Sequence, residues 1–127
     1  MADKEARAPL STGIDAVSIE RVGRAAGRKA FLERVFTEKE MLYSLKHRDA
    51  YRRLAGRFAA KEACLKALLT GMGRGVELKD IEVVSSMESG GPVLELHGLA
   101  KSRLEGRTPH LSITYSEKYA FAFVVLG

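Results

Sequence analysis

Gly56-Arg57-Phe58-Ala59-Ala60-Lys61-Glu62-Ala63-Cys64-Leu65-Lys66-Ala67 reads as the middle of a long helix and sets a carboxylate among small and apolar residues. The helical neighbours of Glu62, three and four positions away, are Phe58, Ala59, Leu65 and Lys66. A carboxylate taken out of water in such surroundings needs a cation, a hydrogen-bond network or a metal ion. Lys66, one turn on, can itself be that cation, so an ordinary Glu62–Lys66 pair is the plainest reading of the segment alone.

A second carboxylate comes from the N-terminal side. Thr12-Gly13-Ile14-Asp15-Ala16-Val17-Ser18-Ile19 alternates as a strand and is apolar on both faces, which predicts a strand buried on both sides with Asp15 inside it. Two acidic residues from a central strand and a central helix can converge on one hard divalent cation, and Mg²⁺ suits such oxygen ligands, binding through one or two carboxylates with phosphates and water. The third element is His110-Leu111-Ser112-Ile113-Thr114-Tyr115, followed by Tyr119-Ala120-Phe121-Ala122-Phe123-Val124-Val125, a hairpin-like C-terminal sheet.

Taken in order, these residues resemble a known family. Gly13-Ile14-Asp15, the Arg57-to-Ala67 helix, the Gly71-Met72-Gly73 turn after it, and His110-x-Ser112-x-Thr114 through Tyr119-Ala120 are similar to the holo-[acyl-carrier-protein] synthases, the short single-domain 4′-phosphopantetheinyl transferases. The resemblance runs from about Ser11 to Gly127. It implies transfer of 4′-phosphopantetheine from coenzyme A to a serine of an acyl carrier protein, releasing adenosine 3′,5′-bisphosphate, in support of fatty acid biosynthesis. It further implies that Asp15 and Glu62 hold Mg²⁺ and that Lys66 acts with them. Arg57, Lys61, Lys66, Gly71, Gly73, Arg74 and His110 would contact the coenzyme. The proton of the serine would pass to Glu62 or to a metal-bound water, and the sequence leaves both open. Tyr115 stands where several relatives carry a second histidine and receives no catalytic role. The family also implies a homotrimer with active sites at subunit interfaces.

Bulk properties agree. At 127 residues the chain supports one domain, 1–127, with residues 1–10 as an N-terminal extension. No stretch approaches the roughly 20 apolar residues of a membrane span, and the charged beginning carries no secretory pattern. The single cysteine, Cys64, cannot form an internal disulfide, which fits a cytoplasmic location. The net charge of +5 is uneven: residues 21–66 hold thirteen Lys or Arg against five Asp or Glu. Arg21, Arg24 and Arg28 fall at i, i+3 and i+7, along one face of a helix after the Asp15 strand, an arrangement suited to an acidic partner such as an acyl carrier protein. Nucleic-acid binding would use the same charge, but the chain has no zinc-ligand set, RNP-like motif or helix-turn-helix signature. One Asp and one Glu are few ligands for a two-metal nuclease. A catalytically idle binding subunit would have no need of both carboxylates.

The coarse expectation is an α+β domain: a strand at 12–19, helices at 20–34, 38–46 and 50–70, strands at 79–86 and 92–97, a short helix at 99–104, and strands at 109–116 and 119–126. Thr37 with Glu40 forms a capping-box pattern. Gly71, Gly73 and Gly75 stop the long helix, and Ser89-Gly90-Gly91-Pro92 turns the central hairpin.

Overall fold

The computed structural model describes residues 8–68 and 75–127. An antiparallel β-sheet with a long helix against it forms the α+β frame. Strand β1 (Ser11–Ser18) leads into α1 (Ile19–Ala25), α2 (Lys29–Val35), α3 (Glu38–Leu45) and the long α4 (Ala50–Ala67). A 3₁₀ turn at Leu78–Asp80 then opens the hairpin β2 (Ile81–Ser85) and β3 (Pro92–Leu96), and α5 (Gly98–Leu104) leads to β4 (Pro109–Tyr115) and β5 (Tyr119–Leu126). The strands form a three-stranded sheet in the order β1-β5-β4 and a two-stranded sheet β2-β3, antiparallel throughout. The predicted glycine turn joins β2 to β3, with Gly90 at φ +76°, a conformation that favours glycine.

The core lies between α4 and the sheet. Ala59, Ala60, Ala63, Cys64 and Ala67 line one face of α4 with no exposure, against Ala122, Val124 and Leu126 of β5 and Ile81 and Val83 of β2. Alanines favour the helix and keep its surface flat, so it lies close to the strands. The two elements approach closely at Gly13. A side-chain carbon there would clash with the Ala63 carbonyl and sit 2.8 Å from the Ala67 amide nitrogen, so only glycine fits. That contact fixes where β1 crosses α4, and Asp15, two residues on, faces the helix with it.

Three expectations need correction. β1 is an edge strand with one covered face: Ser11 and Gly13 are buried, whereas Thr12 and Ala16 are exposed and Ile14 is 63% exposed. β5, expected as the outer, last strand of a C-terminal hairpin, is the middle strand of the sheet; its Ala120, Ala122, Val124 and Leu126 are buried and its Tyr119 and Phe123 face outward. The helix expected over 20–34 is two helices. Gly27 and Arg28 donate to Arg24 and Ala25 in a tight turn, and Arg28 is extended (φ −104°, ψ 122°) as the residue before α2. Arg28 therefore does not continue the Arg21–Arg24 face. By contrast, the Thr37–Glu40 capping box forms in full at the start of α3.

Candidate functional site

Asp15 and Glu62 meet where β1 crosses α4. Asp15 lies mid-strand, paired with Ala122 of β5, on the face turned toward the helix. Glu62 is half-buried; burial first and then the negative charge of Asp15 raise its carboxyl above the usual range, with Lys66 opposing. Lys66 does not make the simple pair with Glu62 that the helix spacing suggests. Its ammonium donates instead to Asp15 Oδ1 at 3.0 Å and to the Ile14 carbonyl at 2.9 Å, crossing from helix to strand. Two carboxylates and an ammonium thus share one open spot, with Lys66 56% exposed on its side chain. A pair of partly exposed oxygen donors that repel one another is a donor set suited to a hard cation.

Lys61, expected to touch the coenzyme, is placed elsewhere. It is fully buried on the core side of α4, where its ammonium donates to Glu40 Oε1 at 2.8 Å, to the Leu78 carbonyl at 3.0 Å and to the Ile81 carbonyl at 2.6 Å. An ammonium has three donors, and these partners take all of them, so none is left for a phosphate. Burial pulls its pKa down while Glu40 opposes the shift.

Arg57 is only 4% exposed, with its guanidinium stacked over the Tyr43 ring at 4.0 Å and its Nε without a partner. It borders a cavity of about 130 Å³ shared with Tyr43, Arg53, Ser85, Gly90, Pro92 and Tyr115. Burial lowers its pKa, but two nearby phenols and Glu40 offset that, and a guanidinium keeps its charge at any ordinary pH. A buried guanidinium with a free donor and a second arginine beside it can accept an anion.

His110 stands apart. The alternation of β4 turns His110, Ser112 and Thr114 outward, so the His-x-Ser-x-Thr pattern lies on the face of the sheet away from Asp15 and Glu62. Arg21 and Arg24 are exposed on α1; Arg24 also makes an exposed pair with Glu20 at 3.6 Å. They border a cleft of about 560 Å³ that includes Val17, Phe31 and Phe58. Gly71, Gly73 and Arg74 lie outside the described residues.

Comparison with known proteins decides the family. Residues 11–124 match the family model described as the 4′-phosphopantetheinyl transferase superfamily. The chain belongs to this superfamily. A holo-[acyl-carrier-protein] synthase from Koribacter versatilis is 43% identical, over 92% of this chain and 97% of its own length. Another from Phenylobacterium zucineum is 45% identical, over 92% and 91%. Among solved structures, the holo-(acyl-carrier-protein) synthase of Bacillus anthracis in complex with CoA (3′,5′-ADP) aligns with a TM-score of 0.76 at 36% identity, covering 91% of this chain and 94% of that one. The Helicobacter pylori enzyme in complex with coenzyme A gives 0.77 at 31%, covering 91% and 99%.

Several residues with no distinctive sequence signal also shape the site. Glu40, a helix cap by its sequence pattern, is fully buried and anchors Lys61; its Oε2 also accepts the Val83 amide at 2.7 Å. Nothing local in the sequence separates such a glutamate from an exposed capping residue. Tyr43, Arg53 and Tyr115 surround Arg57 because α3, α4 and β4 meet there. Gly56 is the one available signal: a side-chain carbon at that position would collide with the Tyr115 hydroxyl.

Proposed function

We propose that this chain transfers 4′-phosphopantetheine from coenzyme A to a serine hydroxyl of an apo-acyl carrier protein. The serine oxygen bonds to the phosphorus on the pantetheine side, the phosphoanhydride bond breaks, and adenosine 3′,5′-bisphosphate leaves. The observation that carries this reading is the convergence of Asp15, Glu62 and Lys66 at one open spot, in a chain that matches the superfamily from residue 11 to 124.

Asp15 and Glu62 fit a Mg²⁺ ion, since both offer carboxylate oxygens from rigid elements and the repulsion between them is relieved by a dication. When bound, such an ion neutralises phosphate oxygens as charge builds on the leaving group. Lys66 supplies a further positive charge on the accessible side. Holding reactants in line and stabilising charge is most of what phosphoryl transfer asks of a protein. The serine proton passes either to Glu62 or to a water held at the metal site. Arg57 and its cavity offer a place for a second phosphate of coenzyme A.

For the carrier, the cleft beside α1 combines apolar Val17, Phe31 and Phe58 with exposed Arg21 and Arg24, a combination suited to an acidic helical partner. Arg28, at the turn into α2, extends the basic surface. We further propose that the chain works as a homotrimer. The outer sheet face exposes Ile14, Tyr119 and Phe123, and His110 lies on it. If His110 and the carboxylates serve one coenzyme molecule, they come from different copies of the chain. We place the reaction in the cytoplasm, where a lone thiol stays reduced; no helix among the described residues is long and apolar enough to cross a membrane.

The test is the intact mass of an apo-acyl carrier protein incubated with this protein, coenzyme A and Mg²⁺. A gain of about 340 Da, one phosphopantetheinyl group, that disappears with a chelator supports the reading. No gain and no coenzyme A binding overturns it.

A further inference from the structure

Glu82 of β2 and Glu95 of β3 stand directly opposite one another on the hairpin. Like charges in that position repel, and Glu82 is the worse placed, with 8% of its side chain exposed. His97, just after β3, turns its Nε2 between them, 3.1 Å from Glu82 Oε1 and 3.7 Å from Glu95 Oε1. One donor atom from each of the three lies within 4.8 Å of the others.

These separations have a chemical meaning. Ligands about 2.1 Å from a tetrahedral zinc ion sit about 3.4 Å from each other, and the two histidine distances bracket that edge. The second oxygen of Glu82 accepts the Thr37 hydroxyl at 2.7 Å, which leaves Oε1 turned toward His97 and orients the carboxylate as an outer-shell partner does at metal sites. Glu95 and His97 are about half-exposed, so the site is open on one side for an ion to enter and for water to complete its coordination.

We propose that Glu82, Glu95 and His97 bind one divalent transition-metal ion of the zinc class. An imidazole nitrogen with two carboxylates selects such ions, whereas the all-oxygen pair Asp15 and Glu62 suits magnesium. The bound ion clamps the paired strands to the residue that precedes α5 and, through Thr37, to the start of α3.

The test is isothermal titration of ZnCl₂ into the chelator-stripped full-length protein. The expected result is saturable binding by the native protein and one zinc per chain in Glu62→Gln, where the Asp15–Glu62 pair is broken, with at least tenfold weaker binding at this site for Glu95→Gln and none there for His97→Ala. Because Glu95 is exposed and its ion pair among the described residues is with His97, its variant keeps the test valid should His97→Ala fold poorly. Absence of saturable binding by the native protein, or unchanged affinity in Glu95→Gln, overturns the proposal. Phosphopantetheine transfer has no part in the readout, so failure here and failure of the transfer reading are separate results.

Discussion

Two lysines five residues apart on α4, Lys61 and Lys66, each meet a carboxylate and serve opposite ends. At about 100° per residue they lie roughly 140° apart around the helix. That rotation carries Lys61 into the core, where Glu40 and two carbonyls use all its donors, and leaves Lys66 at the open edge beside Asp15. A buried pair loses hydration on both partners and holds its geometry through complete hydrogen bonding. An exposed pair adds little stability and remains free to exchange partners. One lysine therefore sets the helix in place and the other is available to a substrate.

Breaking the buried pair should give the largest effect. Lys61→Met leaves Glu40 charged and unpaired in the core, and chemical denaturation is expected to show a loss of about 3–5 kcal/mol. The double variant Glu40→Leu/Lys61→Met removes both charges and should recover most of that loss; a double variant as unstable as the single one would mean that the contacts, not the uncompensated charge, matter. Next in size are Asp15→Asn and Glu62→Gln. Each should reduce metal-dependent transfer about 10²–10³-fold, the scale of losing one transition-state contact, with an unchanged melting curve. Full transfer in both variants would remove the carboxylates from the mechanism.

Legibility from sequence follows the same division. The open side of α4 could be read because its chemistry is unusual for its place: Glu62 among alanines and Asp15 in an apolar strand are both conspicuous. The role of Gly13 was less visible, since a glycine before an aspartate also suits a simple turn, and only the contact with Ala63 explains it. The core side could not be read. Lys61 adjoins Glu62 in sequence and looks equally functional, and its burial depends on Glu40, 21 positions earlier, and on carbonyls at Leu78 and Ile81. The single helix expected over 20–34 failed for a local reason. Periodicity continues through Gly27, but the chain tightens there and restarts at α2. The faces of β1 are hard to read from sequence because apolar residues on both sides suggest full burial, while the single chain covers one side only.

Smaller effects come from residues outside this pair. Arg21→Glu with Arg28→Glu should weaken carrier binding about tenfold at low salt, chiefly through slower association, and leave coenzyme A binding unchanged in a calorimetric titration. Equal carrier affinity would move the docking surface away from α1. Lys66→Ala should cost at most about 1 kcal/mol of stability, as for any exposed pair. Its measured loss, set beside that of Lys61→Met, gives the energetic contrast between the two sides of α4 directly.

The smallest expected effect concerns Cys64, which shares the buried side of α4 with Lys61. Burial pushes its thiol up to about 12, and the charge of Lys61 only partly offsets this. Thiolate is the reactive form, so at pH 8 the folded protein should show almost no reaction with a thiol reagent and full reaction once denatured. In Lys61→Met the compensating charge is gone, and the intact folded thiol should become no more reactive than before. Faster labelling of that variant would therefore report opening of the core, a rate that follows the loss of the Lys61–Glu40 pair and not the chemistry of the thiol. The same cysteine thus distinguishes a helix that has lost one ion pair but stays packed from one that has come away from the sheet.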